Sequence, residues 1–131
     1  MHATIHGERT LTELDFARLA KLKDGHALLA QLLDASEVIP SREVPADIVT
    51  MYSQLELIDL QTRRRQKLTL CYPRDAEPAA GFISVLSPVG LGLLGLRVGS
   101  AAKWRTPGGE ENEAEVSALL FQPEASGDYT T

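Results

Sequence analysis

The sequence has a single cysteine, Cys71, and only three Phe, three Tyr and one Trp among 131 residues. One cysteine excludes an internal disulfide. So few rings leave no aromatic platform for stacking single-stranded nucleic acid. They also leave too little for the deep, aromatic-walled pocket of a prolyl isomerase. No apolar run reaches the ~18 residues of a membrane-spanning helix. A net charge of −5 argues against tight, nonspecific binding to nucleic acid. The opening MHATIHGERT lacks the basic-then-apolar layout of a signal peptide. With the lone thiol, this gives a cytoplasmic location as the expectation. The 44% of hydrophobic residues are enough to build a core, and the length suits one domain or a small domain with an appendage.

The first third reads as two short helices over residues 10–36. Thr10 and Glu13 have the spacing of a capping box. Leu11, Leu14, Arg18 and Leu22 follow helical spacing, with Ala17 beside them, and Gly25 offers a left-handed stop. Leu28, Leu29, Leu32 and Leu33 form the stripe of the second helix. The KDG link predicts an antiparallel hairpin whose arms, of about 11 residues, are about 17 Å long. Pro40 and Pro45 then break the helix, and SREVPADI is a linker.

From Val49 the period changes to two. Val49, Met51, Leu55 and Leu57 fall on one face of a strand, with Thr50, Gln54 and Glu56 on the other. RRRQK is a turn and LTLCY a second strand. FISVLS, SAAKWR and EAEVSALLFQ are three more, the last two joined by TPGG. The predicted architecture is α+β: residues 1–45 as a helical hairpin and linker, and residues 46–131 as a mostly antiparallel sheet with one short helix.

That short helix lies in SPVGLGLLGLRVGS, which contains a literal G-x-G-x-x-G. A dinucleotide site needs a strand, a glycine turn, a long helix and a second parallel strand. Pro107 and two adjacent glycines leave no room for them. Ser87 as N-cap and Pro88 in the first turn account for the stretch better. Val89, Leu91, Leu93 and Leu94 then pack on the sheet, and Gly95 and Gly99 turn the chain back.

SPVGLGLLGLRVG, with KWRTPGG, FQPEASGDY, VTMYSQLEL and LTLCYP, resembles the C-terminal domain of the Gre transcription factors, over about Ala46 to Tyr129. The resemblance implies an FKBP-like fold that docks on the rim of the secondary channel of RNA polymerase. In the family a long coiled-coil hairpin carries acidic, metal-holding residues down that channel to stimulate cleavage of backtracked RNA. The docking element is an Asp-Ser-Pro at the start of the short helix. Ser87 and Pro88 match it, Leu91 supports them from behind, and Leu86 stands where the family has Asp.

Metal-assisted cleavage requires at least two converging carboxylates. The predicted tip, KLKDGH, offers only Asp24, which reads as a turn former, and its arms are several times shorter than the family's. The expectation is therefore a noncatalytic regulator without cofactor or metal, which binds polymerase at the channel mouth and competes with longer Gre-type factors. The alternative is an FKBP-like prolyl isomerase. Arg63, Arg64, Arg65 and Lys67 form the one basic cluster. It is either a solvated turn or a contact with acidic polymerase surface or nucleic acid. Glu110, Glu111, Glu113 and Glu115 read as a solvated face. His2 and His6 are spaced i, i+4 on an N-terminus expected to fray. Cys71 is expected to be buried and inert, and Trp104 to pack at the sheet edge.

Overall fold

A computed structural model describes residues 8–130; His2 and His6 lie outside the described residues. The first element of the described residues is a strand, β1 (Thr10–Thr12), followed by two helices, α1 (Glu13–Ala20) and α2 (Ala27–Ala35), then β2 (Glu37–Ile39), which pairs in parallel with β1. The rest supplies β3 (Gln54–Asp59), β4 (Arg65–Cys71), β5 (Phe82–Ser84), α3 (Pro88–Leu93), β6 (Ala101–Arg105) and β7 (Glu111–Phe121). These five strands form one sheet in the order β5-β4-β3-β7-β6. Three of its pairings are antiparallel, and β4–β5 is parallel. The α+β class is as expected.

The helix cap lies two residues further along than expected, and no reciprocal bond from the carboxylate completes a capping box. Thr10 is drawn into β1, where its N–H donates to Gly95 O at 3.1 Å. Thr12 caps α1 instead, its Oγ1 accepting the Asp15 N–H at 3.1 Å. Both threonines precede a carboxylate by three residues, so local spacing cannot choose between them; the strand pairing does. The helices are also shorter than expected, eight and nine residues, or about 12 and 14 Å. The face of α1 turned inward carries Asp15 and Leu19 rather than Leu14 and Arg18.

The predicted strand from Val49 does not start there. Tyr52 takes a left-handed φ of 65°, and Ser53 N–H closes a turn onto Thr50 O at 3.0 Å. β3 begins only at Gln54. Val49 and Met51 are fully buried all the same, because the turn lies against the core.

The core is one cluster on the inner face of the sheet. Leu55, Leu57, Leu68, Leu70 and Val116 come from the strands, Leu91 and Leu93 from α3, and Leu19, Leu29, Leu32 and Leu33 from α1 and α2. Burying a Leu side chain contributes about 1.5–3 kcal/mol. The two helices are therefore held by the same apolar burial as the sheet. No helix among the described residues is long and apolar enough to cross a membrane.

Candidate docking surface

The glycines of GLGLLG act by what they lack. A Cβ on Gly90 would collide with the Ser84 carbonyl oxygen and lie 2.8 Å from Val85 Cα. One on Gly92 would lie 3.3 Å from Lys103 O. Gly95, at φ +80°, passes 3.0 Å from Thr10 O when given a Cβ. The fingerprint spacing is thus the contact pattern of a helix pressed onto backbone on three sides.

This packing fixes the start of α3. Ser87 Oγ accepts the Gly90 N–H at 3.1 Å and donates to Ser84 O at 2.7 Å. The serine is a helix cap, as the sequence predicts, and its hydroxyl is engaged on both sides. Pro88 at the first helical position is exposed, Leu86 and Ser87 are half-buried, and Leu91 is buried behind them. The end of α3 is also occupied. Arg9 Nη1 donates to Leu91 O at 3.0 Å and to Leu94 O at 2.9 Å. Arg9 is 4% exposed, and burial pulls its guanidinium down to about 10, so it stays charged at neutral pH.

The basic cluster is not one patch. Alternation along β4 sends Arg65 and Lys67 to the outer face, where Arg65 Nη1 meets Glu56 Oε1 at 2.9 Å and Lys67 stands opposite Glu56. The Ser117 hydroxyl and then Arg65 hold Glu56 below the usual carboxylate range. Arg64 borders a groove on the inner face, a cavity of about 590 Å³ with Leu57, Leu68, Ile83, Val89 and Trp104 in its walls. Arg63 sits in the β3–β4 turn with a left-handed φ of 62°. Glu111 and Glu113 pair across the β6–β7 hairpin with Arg105 and Lys103, at 3.1 and 3.9 Å. Cys71 is buried, its Sγ 3.5 Å from Ile83 O, and burial raises its thiol, which keeps it protonated.

Asp24 and Gly25 lie exposed in a turn closed by His26 N–H on Lys23 O at 2.9 Å, with Gly25 at φ +81°.

Sequence reasoning missed a buried polar junction. Asp15 is fully buried; its Oδ2 accepts the Met51 N–H at 3.1 Å, and its Oδ1 has no hydrogen-bond partner among the described residues. Desolvation raises its carboxyl to about 7. Glu124, also raised by burial, accepts from Thr50 Oγ1 at 2.7 Å. Gln122 Nε2 donates to Pro45 O and Ile48 O at 2.9 and 2.8 Å. Beyond it, the Tyr129 ring stacks on Arg42 and Thr130 O accepts from Arg18 at 2.9 Å. The stretch from Gln122 to Thr130 thus ties α1 and the linker to the sheet. Its run of Gln, Glu and Asp gives no periodicity from which to read this.

Residues 44–120 match the family described as Transcription elongation factor, GreA/GreB, C-term. The chain belongs to the GreA/GreB family. It is 38% identical over 125 residues to the Regulator of nucleoside diphosphate kinase of Escherichia coli K12, covering 95% of this chain and 91% of that protein. It is 38% identical over 91 residues to Transcription elongation factor GreA of Solidesulfovibrio magneticus, covering 70% of this chain and 56% of that one. Among solved structures, the prokaryotic transcription elongation factor GreA/GreB from Nitrosomonas europaea aligns with TM-score 0.71 at 30% identity, over 88% of this chain and all of that one.

Proposed function

We propose that this GreA/GreB-family chain is a noncatalytic transcription regulator that binds RNA polymerase at the mouth of the secondary channel and competes there with longer Gre-type factors. Residues 46–131 form the docking unit, on an FKBP-like plan, and residues 1–45 form a short helical hairpin with its linker. One observation carries the reading: the docking element is presented while the tip is bare. Pro88 is exposed at the start of a helix held by glycine contacts at Gly90 and Gly92. The α1–α2 connection has one carboxylate, Asp24, on helices of eight and nine residues. A lone carboxylate cannot clamp a hard divalent cation well, and arms of about 14 Å reach only a short way into a channel.

Leu86 in place of the family Asp removes a charge from the contact, so docking depends on shape at Ser87, Pro88 and Leu91. Arg63, Arg64, Arg65 and Lys67 act separately: Arg64 beside the groove, Arg65 and Lys67 toward acidic polymerase surface from the other face, with any contact to nucleic acid indirect. Trp104 is the one aromatic wall of the groove, which weighs against the isomerase reading.

The test is binding to core RNA polymerase in competition with a full-length GreA. Replacing Ser87 and Pro88 together by Ala should weaken both binding and competition. Loss of the Ser87 cap costs about 1 kcal/mol on its own, so Pro88→Ala alone separates docking from stability. Unchanged affinity in both variants would rule out this contact.

A further inference from the structure

Just ahead of β1, the N-terminal segment reaches the docking helix through the buried side chain of Arg9. Leu91 N–H bonds to Ser87 O at 2.9 Å and Leu94 N–H to Gly90 O at 3.1 Å, which completes the short ladder of α3. Leu91 lies in its last turn and Leu94 is its C-cap, so their carbonyls accept no bond of that ladder. Both residues are buried, 7% and 0% exposed, and a buried carbonyl without a partner is costly. Arg9 Nη1 satisfies both, at 3.0 and 2.9 Å. A cation there also suits the negative end of the helix. Arg9 is itself fixed from the other side, its carbonyl accepting the Glu37 N–H at 2.9 Å. The next residue, Thr10, bonds to Gly95 O at 3.1 Å. A Cβ on Gly95 would lie 3.2 Å from Arg9 Cβ, so the segment passes as close to the exit of α3 as a glycine permits.

We propose that Arg9 is a positioning residue for docking: it fixes the pose of α3, and with it Ser87 and Pro88, so that the N-terminal segment sets the shape of the polymerase-facing element. This rests on the docking reading above. It makes α1 and α2 more than an appendage, because whatever displaces β1 also releases α3. It also explains why so short a helix keeps a fixed start: each end is held by side chains, Ser87 at one and Arg9 at the other.

The experiment uses the full chain with Arg9→Met and Arg9→Lys, and with Val116→Ala as a control that lowers global stability from within the sheet. Two readouts are taken: amide hydrogen exchange at Leu91 and Leu94, and affinity for core RNA polymerase. Charge-assisted hydrogen bonds of this kind predict about tenfold faster exchange at α3 in Arg9→Met, beyond any change at the β3–β7 amides, with a similar loss of affinity. Both bonds come from one nitrogen, and an ammonium carries three donors, so Arg9→Lys should recover most of both. Should Arg9→Met fail to fold, Arg9→Gln, which keeps a neutral donor, carries the same test at smaller amplitude. Exchange at α3 and affinity that change no more than in Val116→Ala would overturn the role of Arg9 and leave the docking reading standing. A wild-type chain that does not bind polymerase would overturn the docking half of the proposal together with the reading beneath it, while the exchange data would still report whether Arg9 holds α3.

Discussion

The start of α3 and the α1–α2 connection present opposite kinds of helix end to solvent. At α3 the backbone is pressed against Ser84 and Val85 at Gly90, where no Cβ fits, and closely against Lys103 at Gly92, and both ends are capped by side chains. At the connection, residues Lys21 and Lys23–His26 are exposed around a simple turn, with one carboxylate. The first is built to hold a shape and the second only to reverse the chain. On the proposed reading, a fold can keep a docking element while its reaching arm carries a single carboxylate, because the two depend on different residues and on separate stretches of the chain.

The sharpest way to break this contrast is Gly90→Ala. The added methyl has no space against the Ser84 carbonyl, which belongs to backbone and cannot swing aside. Overpacking of this kind costs about 1–3 kcal/mol and here should reach or exceed the upper figure. Thermal denaturation should show a large drop in midpoint, whereas Gly25→Ala, at a site with open space but positive φ, should cost only about 1 kcal/mol.

Asp15 sharpens the contrast from the polar junction. Its carboxyl is raised to about 7 by burial, so between its unfolded value and that figure the folded state binds more protons than the unfolded state. Stability should then fall as pH rises from about 4 to about 7, by at most about 1.4 kcal/mol per unit, and level off above. Glu124, raised in the same direction, adds to this slope. Glu56 and Asp59 are shifted the opposite way and oppose the slope only at its acid end. Urea unfolding at several pH values measures the slope, and Asp15→Asn should flatten most of it.

How much of this was legible in the sequence follows from how local each feature is. The cap by Ser87, the placement of Pro88, the presence of the two-period strands and the TPGG turn depend on near neighbours and could be read, but of RRRQK, read as a turn, Arg65, Gln66 and Lys67 belong to β4. The swap from Thr10 to Thr12 could not, since two equivalent local patterns were separated by a strand partner 27 residues away. Asp15 facing the core runs against any rule that sorts side chains by polarity. Tyr52 at a left-handed φ interrupts a clean alternation, and nothing in its neighbours signals that. At the docking surface the residues were legible but their grouping was not: four consecutive-looking cations separate because a strand alternates. Arg9 went unnoticed because its partners are carbonyls more than 80 residues away.

The smallest expected effect lies in the β3–β4 turn. Arg63 holds a left-handed φ of 62°, which costs a non-glycine residue about 1 kcal/mol. Arg63→Gly relieves this but loosens the unfolded chain by a comparable amount, so the midpoint should stay level or rise slightly. Polymerase affinity should change little, since Arg63 lies in the turn ahead of β4, which carries Arg65 and Lys67.

The central claim is that docking persists here without cleavage chemistry. The most direct measurement uses a backtracked elongation complex with Mg²⁺, to which the chain or its Asp24→Ala variant is added, alone and against full-length GreA. The chain and the variant should bind equally, suppress GreA-stimulated cleavage equally, and release no short 3′ RNA products of their own. Cleavage products that appear with the chain alone and vanish with Asp24→Ala would contradict the account.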